Sequence, residues 1–325
     1  MSQLITIHSG AAGFAGLKRL RENLKLGLRA LLHRRATYGW LELLNSDPLM
    51  LELAKARPRL IYKIYRPYLS NTMNCARRIE LLREHYRHVH ATGLGPLTLR
   101  AARGAVPLGD IDGKHGLPYH LQLRAIEPME REGELVLQLM QGEQLVYGCA
   151  FSFFDSDDGM VLGIGCMQGP RGAHGLQLIK DATRELHGLR PKNLMIKLLG
   201  RIAHDHGCAQ LRLVGNANRA VCGAARQGKV HADYDALWQE LDASPRADGD
   251  YQLACAALAP PDLSLVPSKK RSEVRKRHEL LQSVSNDIAS GLHATAANTQ
   301  ARKKSGTMAF SSKEKYHACG YLLPR

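Results

Sequence analysis

Closely paired cysteines are missing, aromatic residues are scarce at 6%, and no stretch of about 20 apolar residues offers a transmembrane helix. The seven cysteines, at positions 75, 149, 166, 208, 222, 255 and 319, include no Cys-x-x-Cys pair and no ligand-like spacing. Their odd number also argues against a disulfide framework, so mostly buried, inert thiols in a reducing compartment are expected, with no metal bound. The basic N-terminal stretch is interrupted by Lys18, Arg19, Arg21, Glu22 and Lys25, so no signal-peptide core forms. A cytoplasmic location with at most peripheral membrane contact is therefore expected. Acidic residues are outnumbered, 30 Asp and Glu against 45 Lys and Arg, which leaves +15. That excess favours anionic partners: nucleic acid, an anionic lipid face, or a phosphorylated small molecule such as a coenzyme.

What is present is ordinary for a packed protein: 44% hydrophobic residues in a 325-residue chain suffice for a sizeable core. From Gly13 to about His90 the pattern is helical, with Leu17, Leu20, Leu24, Leu28, Leu31 and Leu32 recurring among cations. Pro48, Pro58 and Pro67 divide this region into short helices, the last over roughly Asn71 to Val89. Gly93 to Pro118 is rich in Gly and Pro and reads as a connection with one or two short strands. The period then changes. Tyr119 to Ile126, Glu134 to Met140, Gln144 to Phe153 and Gly159 to Met167 alternate and are separated by turn residues, which predicts a four-stranded antiparallel meander. Ala173 to His187 and Pro191 to His206 predict two helices, Leu211 to Val214 a buried strand, and Tyr251 to Ala254 a further strand. Short helices are expected near Asn218 and over Ala232 to Leu241, and a basic amphipathic helix over Ser268 to Ile288. The expected fold class is α/β in the α+β sense, with N-terminal helices (1–92), a mainly antiparallel sheet with covering helices (93–291), and a disordered tail (292–325).

Several segments carry chemistry. Gly163 to Gly172 joins a predicted strand to a predicted helix, and glycines there let backbone amides approach an anion beside Arg171; a tight Gly-Pro turn without a ligand is the alternative. His187-Gly188-Leu189-Arg190-Pro191-Lys192 interrupts two helices and presents Arg190 and Lys192 to an anion, or simply caps a helix. Asn216 follows the buried strand, where α/β proteins place ligands, or caps the next turn. Asp233 and Tyr234 are a candidate proton-transfer pair, or a helix start. His204-Asp205-His206 lacks a third metal ligand at fixed spacing, and Asp155 to Gly159 lacks the downstream Glu of a calcium loop. Lys269, Lys270, Arg271, Arg275, Lys276 and Arg277 form a basic run suited to nucleic acid, anionic lipid or a protein partner, or to solvent.

Gln168-Gly169-Pro170, the segment from His187 to Lys192, Ala232 to Asp235 with Trp238, and Ser268 to Ser272 together resemble the VirK/YbjX family of Gram-negative bacteria over roughly Gly27 to Ile288. That resemblance implies a cytoplasmic protein tied to virulence, stress responses and survival against antimicrobial peptides, with no settled activity. Val274 and His278 depart from it, standing where an aromatic residue is expected. A wider likeness in architecture is to the acyltransferases related to histone acetyltransferases, in which the strand-to-helix turn cradles a coenzyme A diphosphate. Gln168 to Ala173 approaches their Gln/Arg-x-x-Gly-x-Gly/Ala pattern with the first glycine displaced by one position. This likeness implies an acyltransferase-like core that binds acyl-CoA through Gln168, Gly169, Arg171, Gly172, Arg190, Lys192 and Asn216, with Asp233 or Tyr234 moving a proton. The rival expectation is a non-enzymatic accessory protein that works through its basic helix.

Overall fold

Proline and capping residues set the N-terminal helices where the sequence places its breaks. In the computed structural model, which describes residues 4–157, 159–221 and 232–308, with side chains through 292, a 3-10 turn (Ile7–Ala11) precedes α1 (Gly16–Leu32), α2 (Arg34–Ser46) and α3 (Pro48–Ala56). Asp47 caps α3 by accepting the Met50 amide at 2.9 Å, with Pro48 in the first turn. A 3-10 segment (Pro58–Tyr65) leads to α4 (Cys75–Ala91). That helix begins later than the expected Asn71 because Asn74 caps it. Residues 68–71 form a tight turn instead, with Leu69 at φ 55°, held by the Ser70 to Arg219 bridge and the Asn71 amide on Asn218 O at 2.8 Å. The expected connection after Gly93 contains a helix, α5 (Gly95–Arg103). Pro96 sits in its first turn, where its missing N–H costs nothing, and Leu97, Ala101 and Ala102 are buried.

The eight strands are β1 (Val106–Asp112), β2 (Pro118–Ala125), β3 (Leu135–Gln141), β4 (Gln144–Ser156), β5 (Gly159–Gln168), β6 (Gln210–Leu213), β7 (Ser244–Pro245) and β8 (Tyr251–Ala254). They form one sheet in the order β1-β2-β3-β4-β5-β6-β8-β7. The meander β2 to β5 is antiparallel, as its alternation requires, and β1 extends it. β5 and β6 are parallel, so the chain must cross over between them, through α6 (Gly172–Glu185) and α7 (Pro191–Asp205). The fold is α/β with a mostly antiparallel sheet.

Between its partners Ile164 and Cys166, Gly165 is an extra residue that bulges β5 against β4. A Cβ there would lie 2.1 Å from Glu132 O, so the loop before β3 can close over the strand only at a glycine. α8 (Tyr234–Glu240) follows β6, and α9 (Ser268–Met308) packs Leu281, Val284 and Ile288 inward beside β1 and α7. α9 continues past the expected end at Ile288. The helix therefore occupies 292–308 of the expected tail, and residues 309–325 lie outside those described. Cys149, Cys166 and Cys208 are buried, Cys75 and Cys255 half-buried; Cys222, Cys319 and Asp158 of the β4–β5 turn lie outside the described residues.

Candidate functional site

The last residues of β5 outrun their parallel neighbour. Pairing with β6 ends at Ile164, whose carbonyl accepts the Val214 amide at 3.2 Å. Beyond it α8 takes the place of a strand: the Met167 amide donates to Tyr234 Oη at 2.8 Å, and that hydroxyl lies 3.1 Å from Met167 O and 3.5 Å from Cys166 Sγ. Trp238 Nε1 donates to Val214 O at 2.9 Å, and the Arg219 guanidinium lies over the Tyr234 ring, 3.9 Å from its centroid. Burial pushes the Tyr234 phenol well above its ordinary pKa, so it stays protonated.

Asn216 ties the β6 loop to this helix. Its Nδ2 donates to Asp233 at 2.7 Å, its Oδ1 accepts the Tyr234 amide at 2.8 Å, and its own amide donates to Asp235 at 2.9 Å. Asp233 caps α8 by accepting the Ala236 amide, which together with Asn216 holds its carboxyl below the usual range. Arg190 and Lys192, at the start of α7, donate to Glu240 at 2.8 and 2.5 Å. Three separate segments of the sequence thus converge on α8.

At the head of β5, Gln168 still pairs with Gly148, after which Gly169, Pro170 and Arg171 turn the chain into α6. Gly172 takes φ +75°, open only to glycine at low cost. A Cβ on Gly175 would come within 2.7 Å of the Pro170 carbonyl carbon, so the turn lies tight on the first turn of the helix. No side chain caps α6, and Arg171, Gly172, Ala173 and His174 are all exposed. Among the described residues the Gly172, Ala173 and His174 amides have no acceptor, and no carboxylate occurs before Asp181. Open amides, the positive end of a helix and a guanidinium together suit an anion.

A second feature was not legible from sequence. A cavity of about 520 Å³ is lined by Leu69, Met73, Arg77, Phe154, Asp155, Asp157, Gly163, Arg212, Val214, Asn218, Arg246, Asp248 and Asp250, among others. Gly163 and Arg212 are register partners, so both face it from adjacent strands. Arg212 and Arg246 approach Asp248 at 3.2 and 3.3 Å, and burial raises the pKa of Asp250, which accepts the Gly215 amide at 3.0 Å. None of Gln168, Gly169, Arg171, Gly172, Arg190, Lys192, Asn216, Asp233 or Tyr234 lines it. The Asp248-Gly249-Asp250 turn, with Gly249 at φ +85°, was the available signal; its partners lie far away in the chain.

On α9, Lys269, Lys270, Arg271, Arg275 and Lys276 are exposed, whereas Arg277 is half-buried and donates to His187 O at 2.9 Å. His206 closes α7 and faces His88 at 3.2 Å. Among the described residues no group of three or more His, Cys, Asp or Glu is placed to hold a metal ion, and no helix is long and apolar enough to cross a membrane.

A family model described as protein of unknown function, DUF535, matches residues 15–290. The chain is 28% identical over 270 residues to the uncharacterized protein YbjX of Escherichia coli K12, covering 82% of each chain. It is also 26% identical over 200 residues to a Mannheimia haemolytica protein named membrane protein LapB, covering 61% of this chain and 82% of that one. A solved structure, a mutant form of the cAMP-binding acyltransferase from Mycobacterium smegmatis, aligns with TM-score 0.27 and 10% identity over 66% of this chain and 63% of that one, just under two thirds of its length.

Proposed function

Starting from the premise that the chain belongs to the DUF535 family, that of the VirK and YbjX proteins, we propose that it binds the diphosphate of an acyl-CoA-type carrier at the start of α6 and transfers the acyl group. The observation that carries this reading is the uncapped, exposed start of α6 beside Arg171, standing where β5 loses its parallel neighbour. Antiparallel strands, a glycine-bearing turn into a helix and a following strand are also the order of elements that the sequence shares with the acyltransferases it resembles, with the departure that two helices, α6 and α7, precede β6 here.

The residues present fit such a carrier. Gly172, Ala173 and His174 offer three amides, Gln168 and Gly169 shape the approach, and Arg171 adds a planar donor fork with no acid in the first turn of α6 to neutralise it. Bound there, the carrier supplies an activated thioester. Tyr234 holds its proton at Oη, but it is buried and its hydroxyl is engaged with Met167 and Cys166, so it positions α8 against β5 rather than moving a proton to the carrier. Asp233 and Asn216 position α8 through the bonds described above, and Arg190 and Lys192 reach an anion only by exchanging Glu240 for it. The charged cavity lined by Arg212, Asp248 and Asp250 is suited to a polar acceptor. The stress and antimicrobial-peptide association implied by the family resemblance fits this chemistry, since acylation of an amine removes a positive charge.

Calorimetric titration with acetyl-CoA and longer acyl-CoA tests the reading. Binding is expected with each, weakened about tenfold by Arg171→Ala, the loss expected for one charge-assisted pair. No binding to any of them at millimolar ligand removes the reading.

A further inference from the structure

The leucines that predict α1 do not face the body of the protein. Leu17, Leu20, Leu24, Leu28, Leu31 and Leu32 are 57% to 86% exposed. Their spacings of three and four residues gather them within roughly 120° of the helix surface. The opposite side anchors the helix. Leu26 is fully buried against Gly10, where an added Cβ would come within 2.9 Å of Leu26 Cδ1, and Glu22 is buried with Lys25 on it at 3.0 Å. The exposed stripe is therefore a fixed feature of the docked helix, since rotating the leucines inward would expose Leu26 and uncover Glu22.

The charge around the stripe has one sign. α1 carries Lys18, Arg19, Arg21, Lys25 and Arg29, and its only acid, Glu22, is turned inward and already paired. Lys25, Lys18 and Arg29 run along one border of the apolar face, and Arg21 projects within it, between Leu28 and Leu32. His33, Arg34 and Arg35 continue the exposed basic surface beyond the helix. At 17 residues, with cations along one flank, α1 has the make-up of a helix that lies in an interface rather than across it.

We propose that α1 docks on an anionic lipid bilayer, with its leucines at the acyl boundary and Lys18, Arg21 and Lys25 at the headgroup phosphates. A second copy of the chain would cover the same leucines, but only by closing the Arg21 of each copy into the apolar contact, so the charge in and beside the stripe selects a negatively charged surface. This docking is independent of the α6 site.

Flotation of the full chain tests it, with vesicles of phosphatidylcholine alone or mixed with phosphatidylglycerol. Association is expected with the mixed vesicles, falling with added salt, and not with phosphatidylcholine alone. The triple change Leu20→Asn, Leu24→Asn and Leu28→Asn, all at exposed positions, should leave the melting temperature unchanged and cut association at least about tenfold. Lys18→Gln with Arg21→Gln should cut it while leaving the apolar stripe intact. Absence of the wild-type chain from the mixed vesicles overturns the proposal, as does unchanged flotation of the triple variant. A stable dimer that the leucine changes dissociate, with no vesicle binding, overturns it in favour of a second copy. Acyl-CoA titration of the triple variant should match wild type, so failure here and failure at α6 are separable.

Discussion

Glu134 is fully buried at the start of β3 and meets the Lys63 ammonium from the N-terminal helices, while Tyr86 Oη donates to its other oxygen at 2.5 Å. Burial raises its pKa, yet Lys63, His85 and these hydrogen bonds outweigh that and hold the carboxyl below its ordinary value. His85 stands beside this pair, accepts the Phe153 amide at 3.2 Å, and is pushed down to about 3 by its own burial. A histidine with a depressed folded pKa is neutral in the native state and protonated in the unfolded state as pH falls below about 6.5. Its contribution is therefore complete above that pH and is lost progressively toward about 3. Urea unfolding between pH 7 and 5 should show wild type losing stability more steeply than His85→Gln, by up to about 1.4 kcal/mol per pH unit for one proton. Equal slopes for the two proteins would show that His85 is not the buried neutral group.

Among the elements, α8 ties the end of β5, the loop after β6 and the start of α7 together through a few polar atoms. The Tyr234 hydroxyl serves the Met167 amide, and Trp238 serves the Val214 carbonyl, so one short helix closes the gap between the diverging ends of β5 and β6. Tyr234→Phe keeps the ring under Arg219 but strands the Met167 N–H, and chemical denaturation should register a loss of about 1–3 kcal/mol. An unchanged midpoint would mean that the hydroxyl does not hold α8 in place. The elements themselves were largely legible. The β2 to β5 meander follows from period-two alternation broken by Gly and Asp turns, and α6 and α7 from Pro191, Gly188 and Gly207. The α5 helix was hidden because Gly95 and Pro96 read as loop residues, although a first helical turn accommodates both. In α1 the leucine period was correctly helical but left open what the apolar face meets, because periodicity defines a stripe and says nothing about what lies opposite it.

For the molecule as a whole, the excess of 15 positive charges is spread over distinct surfaces: the stripe border on α1, Arg171 at the head of α6, and the exposed cations of α9. Composition announced an anionic partner but could not divide the charge among these places, since only the fold shows that Arg190 and Lys192 meet Glu240 while Arg171 precedes a helical turn without an acid. The same holds for the charged cavity, whose walls come from Arg77, Asp155, Arg212 and Asp248, residues that only sheet order brings together. The strand-to-helix turn was visible in advance because its glycines and its neighbours sit in one short segment. Amide hydrogen exchange at Gly172, Ala173 and His174, with and without acetyl-CoA, addresses the proposed ligand site directly. Slowed exchange at these three amides, lost in Arg171→Ala, is the expected result; unchanged exchange there under saturating ligand contradicts the assignment of the diphosphate to α6.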